Sequence, residues 1–303
     1  MKTGGLEIDA ARAGEIARLL AGPESQSARA LLGDEMPESY PPKGVEKGSL
    51  EHLLFITLSV SIDYMRDADQ LWQAGRETYE DPETRFIFDP ERVHRASVSE
   101  IRRGLAKHKL SKKPNQDARI WRTVAVSFNK KWKGDPKRFL ADCEWNAPKI
   151  LQRLKTDRHP LGNHRTYDFP YLRGNKIGPL WIRMLRDNVG LALQGLADVP
   201  IPVDIHVLRA TVCSGVVRGR YAGRLEPAFE RVREAWKTGT NDLLRYDGQS
   251  MISLDVDRPL WRLSRSFCSG SGKERPNSCP LQPGCRYAGV QVKRGDCLVT
   301  PIK

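Results

Sequence analysis

Apolar residues recur along most of the chain at the spacing of one helix face. Leu50, Leu53, Leu54, Leu58, Ile62, Met65 and Leu71 stay in phase and predict one long buried helix. Ile120, Trp121, Val124 and Phe128 share a face of a second helix. Ser97 and Glu100 have the spacing of a capping box before the amphipathic run "IRRGLAKHKL". Asp135 followed by Pro136 reads as an N-cap with proline in the first helical position. "GNKIGPLWIRMLRDNVG", "PAFERVREAWKTG" and "RPLWRLSRSFC" predict further helices. No alternating strand pattern and no internal repeat stands out, so the predicted fold class is all-α. Residues 1–47 form a polar, partly helical lead-in ending in the proline-rich "PESYPPKG", a candidate boundary. After Trp261 the chain turns rich in Gly, Pro and Cys, a composition that buries little surface and calls for a staple.

The chain of 303 residues is long enough for a substantial core. With 29% charged and 39% apolar residues it reads as a soluble globular protein. No stretch approaches the roughly 18 apolar residues of a membrane span. The first twenty residues carry acids and no uninterrupted apolar core, so the expected compartment is the cytoplasm. The net charge of +13 favours a polyanionic partner, nucleic acid being the commonest, over plain solubility charge. Six cysteines are present, and four of them crowd into the last 36 residues. In a cytoplasmic protein that crowding reads as a metal or cluster site rather than a disulfide framework.

Two short segments carry the candidate chemistry. "YLRGNKIGPLWIRML" places Lys176 behind a glycine turn at the mouth of an apolar helix. "VPIPVDIHVLRA" places Asp204 between a proline-bounded turn and another apolar helix, with His206 and Arg209 following. Together they resemble the helix-hairpin-helix DNA glycosylase superfamily, its endonuclease III branch in particular. In that branch Gly-x-Lys opens a helix and a Val-Asp-x-His-x-x-Arg segment follows. The resemblance spans roughly residues 48 to 287. Leu172 stands where the family hairpin usually has its first glycine. The 27 residues between Lys176 and Asp204 are more than is usual in that branch and look more like the archaeal 8-oxoguanine glycosylases.

The resemblance implies two helical lobes, residues 48–195 and residues 1–47 plus 196–303. It implies a monomeric enzyme that takes a flipped base from duplex DNA and has no membrane partner. Lys176 would be the nucleophile that attacks C1′, forms a Schiff base and allows β-elimination. Burial and a helix N-terminus both disfavour the charged form of such a lysine. Asp204 would stabilise positive charge on the sugar and accept a proton from the lysine; it also reads as a helix N-cap. The backbone of Leu172, Arg173, Gly174 and Asn175 would bind phosphate. Lys130, Lys131, Lys133, Arg183 and Arg186 are candidates for further phosphate contacts, and Tyr64, Trp121, Phe169, Tyr171 and Trp181 for pocket walls. His206 reads as a packed neighbour of the site and Arg209 as an ion-pair partner.

Endonuclease III enzymes hold a 4Fe–4S cluster on four cysteines. Here Cys279 and Cys285 reproduce the family's final x5 pair, and Cys268 ends a helix as the first ligand does. "ERPN" occupies the place of the second ligand. Cys297 is the nearest replacement and Cys213 a weaker one. The implied cofactor is 4Fe–4S, with zinc as the alternative, in a structural role. Within the class, the runner-up is an 8-oxoguanine-specific glycosylase. Outside it stand a non-catalytic DNA-binding module and an enzyme acting on a modified base in a defence role.

Overall fold

The computed structural model describes residues 5–33, 35–64, 66–159, 166–268, 279–281, 288–293 and 295–301. In chain order the elements are β1 (Leu6–Ile8), α1 (Ala10–Ala21), α2 (Gln26–Leu32), α3 (Leu50–Val60), α4 (Ala68–Glu80), α5 (Pro90–Arg95), α6 (Val98–Lys107) and α7 (Pro114–Trp132). They continue with α8 (Pro136–Asp142), α9 (Ala147–Thr156), α10 (Ile177–Met184), α11 (Ile205–Cys213), β2 (Val217–Gly219) and β3 (Tyr221–Arg224). The last are α12 (Leu225–Gly239), α13 (Asp257–Leu263), β4 (Ala288–Lys293) and β5 (Asp296–Pro301). Helix dominates, but two small sheets accompany it, so the fold is mostly helical rather than purely all-α. No helix among the described residues is long and apolar enough to cross a membrane.

The chain divides into two compact units, residues 35–198 and residues 1–34 with 199–303. The divisions fall at 34/35 and 198/199. In the 35–198 unit the apolar run from Leu50 to Leu71 forms two helices instead of one. Asp67 starts the second by accepting the Gln70 amide at 3.1 Å, an N-cap that an in-phase apolar pattern does not reveal. The predicted capping box is present: Glu100 N–H donates to Ser97 Oγ at 3.2 Å and Ser97 N–H to Glu100 Oε2 at 2.8 Å. Asp135 caps α8 through the Lys137 amide at 2.8 Å. Two runs of aromatic rings fill the core: Trp72, Phe55, Tyr79, Phe88 and Trp121, then Phe128, Trp132, Phe139, Phe169 and Trp181.

In the other unit α1 and α12 pack against each other. Gly239 permits their close approach, because a Cβ there would lie 2.3 Å from that of Ala13. The indole of the buried Trp236 donates to Thr211 Oγ1 at 2.9 Å. β1 pairs antiparallel with β2, and the second sheet runs β3-β5-β4, also antiparallel. In β5, Cys297 and Val299 face the core while Leu298 and Thr300 are exposed. That alternation is too short to show against the Gly- and Pro-rich composition around it, which is why these strands escaped the sequence reading.

Candidate functional site

Lys176 is the N-cap residue of α10, whose eight residues are all buried. The preceding turn is held from within. The Arg173 amide donates to the Phe169 carbonyl at 3.1 Å and the Gly174 amide to that of Tyr171 at 3.0 Å. Two of the backbone donors expected for phosphate are therefore used by the turn itself. Leu172 is fully buried, backbone included. The turn packs closely on α10 at Gly178, where a Cβ would meet the Leu172 carbonyl oxygen at 2.7 Å. Asn175 is exposed and Lys176 partly so.

The Lys176 ammonium lies 3.5 Å from Asp63 Oδ2. Asp63 follows the C-terminus of α3 in a turn closed by its own amide on the Val60 carbonyl at 3.1 Å. Beside it, Tyr64 meets Tyr171 edge-on, with ring centres 5.5 Å apart. Gln116 donates to the Tyr171 hydroxyl at 2.9 Å, and the Lys113 ammonium stands 4.3 Å from the Tyr64 ring centre. Burial, with Tyr64 and Asp117 adding to it, pushes the Tyr171 phenol up. Of the five aromatics named from sequence, Trp121, Phe169 and Trp181 are sealed in the core, whereas Tyr64 is 40% exposed and Tyr171 partly exposed.

Asp204 belongs to the other unit. It is the N-cap of α11, and its Oδ1 accepts the amides of His206 at 2.8 Å and Val207 at 3.0 Å. This fixes one carboxylate oxygen in direction and leaves the group partly exposed. His206 packs as expected: its ring lies 6.0 Å from that of Trp261, and Nδ1 is 3.4 Å from Ser264 Oγ.

Several candidate phosphate contacts have other partners. Arg183 is 1% exposed and ion-paired with Glu38, which is 2% exposed, so it is a core group. Arg186 pairs with Asp187 at 2.6 Å. Lys131 pairs with the buried Asp168 and donates to the Arg158 carbonyl at 2.6 Å. Burial alone would raise the Asp168 carboxyl, but hydrogen bonds from His159, Lys131 and Ser127 outweigh it and hold the group below its ordinary value. Lys130 and Lys133 are exposed.

Cys285 lies outside the described residues. Cys268 and Cys279 are partly buried and pack against the apolar core of their unit. Cys297 is a strand residue, register-paired with Gly223 and Val292 and 3% exposed. Burial, with Asp296, pushes its thiol up. Cys213, the weaker candidate, is buried at the end of α11, which packs against α13 and the turn ending at Cys268. Among the described residues no three His, Cys, Asp or Glu side chains gather closely enough to hold a metal ion. Cys268 and Cys279 pack on the same apolar cluster that contains Cys297.

Compared with known protein-family models and with curated proteins, the chain matches none.

Proposed function

We propose that the protein is a DNA base-excision glycosylase with an associated β-elimination lyase activity. The observation that carries this reading is the setting of Lys176. It is a partly exposed amine at the start of a buried apolar helix, beside a carboxylate and an accessible tyrosine pair. Such a group is suited to covalent attack on an electrophilic carbon. The net charge of +13 suits a polyanionic substrate.

In the reaction, the bond between base and C1′ lengthens and positive charge grows on the sugar. Asp204, with one oxygen fixed by two backbone amides, stabilises that charge. The neutral Lys176 amine bonds to C1′, the base leaves with the bonding pair, and the ring-opened sugar becomes a protonated imine on Nζ. Loss of a C2′ proton then expels the 3′ phosphate. Asp63, 3.5 Å from Nζ, accepts the ammonium proton before attack and so frees the neutral amine. The target base must leave the stack for this chemistry. The long separation of Lys176 and Asp204 favours 8-oxoguanine as the first base to assay.

Asp204→Asn is expected to slow single-turnover base release about 100-fold or more, with DNA affinity within a few-fold of native. Equal losses of binding and rate would remove Asp204 from the chemistry.

A further inference from the structure

Residues 101–138 hold thirteen Lys and Arg against two acids, Asp117 and Asp135, and so carry most of the chain's net charge of +13. Both acids are bonded locally: Asp135 caps α8, and Asp117 is buried inside α7. The densest part is "KHKLSKK", residues 107–113, which joins α6 to α7.

This connection is built rather than loose. Leu110 is fully buried and anchors its middle. The Lys109 amide donates to the Ala106 carbonyl at 3.0 Å and the Ser111 amide to that of Leu105 at 3.0 Å. Arg66, from the segment after α3, donates to the carbonyls of Leu110 and Lys109. Asp117 gathers the far side, accepting from Ser111 Oγ at 2.6 Å, the Lys112 amide at 3.1 Å and the Lys113 amide at 2.9 Å. Lys109 is held at φ 58°, in the left-handed region that non-glycine residues rarely occupy. A conformation of that kind persists only where its surroundings over-determine it, and such positions concentrate at functional sites.

The side chains of Lys109, Lys112 and Lys113 are exposed. Lys107, at the end of α6, pairs with Asp81 at 2.7 Å and Glu83 at 2.6 Å. Lys113 reaches the Tyr64 ring, and Tyr64 adjoins Asp63, the partner of Lys176. The basic connection and the candidate nucleophile therefore share one wall, built from Asp63, Tyr64, Gln116 and Tyr171.

We propose that the connection Lys109–Lys113 is a phosphate clamp. It grips the DNA backbone next to the nucleotide presented to Lys176, with Lys109, Lys112 and Lys113 each neutralising one phosphate. The clamp rests on the DNA-glycosylase reading but goes beyond the hairpin that reading invokes. It carries no base preference, because its contacts are to the backbone. Its rigid turn sets the register in which a flipped nucleotide meets Nζ.

The test uses the full chain and a duplex carrying a tetrahydrofuran abasic analogue that cannot be cleaved. Affinity is measured across a salt series for native protein and for K109N/K112Q/K113Q. Asparagine is chosen at 109 because it tolerates the left-handed conformation. Each lost phosphate contact flattens the log K against log salt slope by about 0.9, so the variant slope should fall by about 2.7. A Lys→Arg variant at the same three positions should keep the native slope, and its urea midpoint and that of K109N/K112Q/K113Q should match native. An unchanged slope against a salt-sensitive native complex overturns the clamp alone. Failure of native protein to bind the duplex overturns the glycosylase reading, and the clamp with it.

Discussion

Removing the Glu38 carboxylate should cost the 35–198 unit a large fraction of its stability. Arg183 lies on α10, two turns beyond Lys176, and its guanidinium is 1% exposed. Its ion-pair partner Glu38 sits in the short Pro37–Ser39 turn and is 2% exposed. Breaking a buried pair from one side leaves a desolvated charge and typically costs about 3–5 kcal/mol. Asp187 remains 3.8 Å from Arg183 and offsets part of that charge, which places Glu38→Ala near the low end, about 3 kcal/mol. For a domain of this size that is a fall of roughly 6–12 °C in melting temperature. Urea unfolding followed by tryptophan fluorescence reads it, since Trp132 and Trp181 lie in the same core. Replacing both partners with apolar residues, as in Glu38→Leu with Arg183→Met, should recover to within about 1 kcal/mol of native. A loss under about 1 kcal/mol for Glu38→Ala would refute the argument. So would a double variant as unstable as the sum of the singles, which would show that packing rather than charge holds α10.

Stability should also fall with acid through His52. This imidazole is fully buried and accepts the Gly48 amide at Nδ1, 3.1 Å away. Burial, then Lys47, pushes its pKa down to about 4. The unfolded chain therefore binds more protons than the folded one between about pH 6.5 and 4, and stability present above 6.5 is lost as pH falls through that window. From pH 7 to 5 the loss should be about 2 kcal/mol, absent in His52→Gln; equal pH dependence in both would contradict it. For the cysteine tail, metal analysis of purified protein should show metal that Cys268→Ser, Cys279→Ser and Cys297→Ser each lose. Native metal content in the Cys297→Ser protein would remove Cys297 from the ligand set.

The local signals were legible in the sequence, and the long-range ones were not. Asp204 as an N-cap, Ser97 with Glu100, and Asp135 with Pro136 each declare themselves within four residues, because a cap is a contact between near neighbours. The helical start at Lys176 was readable in the same way. Asp63 lies 113 residues from Lys176, and Glu38 lies 145 residues from Arg183. No periodicity links such partners, so Arg183 read as a surface cation although it is a core ion pair. The α3–α4 break escaped because Leu50 to Leu71 keep their phase across it. Tyr64 and Tyr171 could not be told from core aromatics, since exposure is a property of the assembled fold rather than of the ring.

The central claim is that Lys176 is a Schiff-base nucleophile. Its most direct test is borohydride trapping of native protein and Lys176→Gln on duplex DNA carrying one abasic site. The account predicts a covalent protein–DNA adduct with native protein and none with the variant, while both bind the duplex alike. An adduct of equal yield from Lys176→Gln, or none from folded native protein, would contradict it.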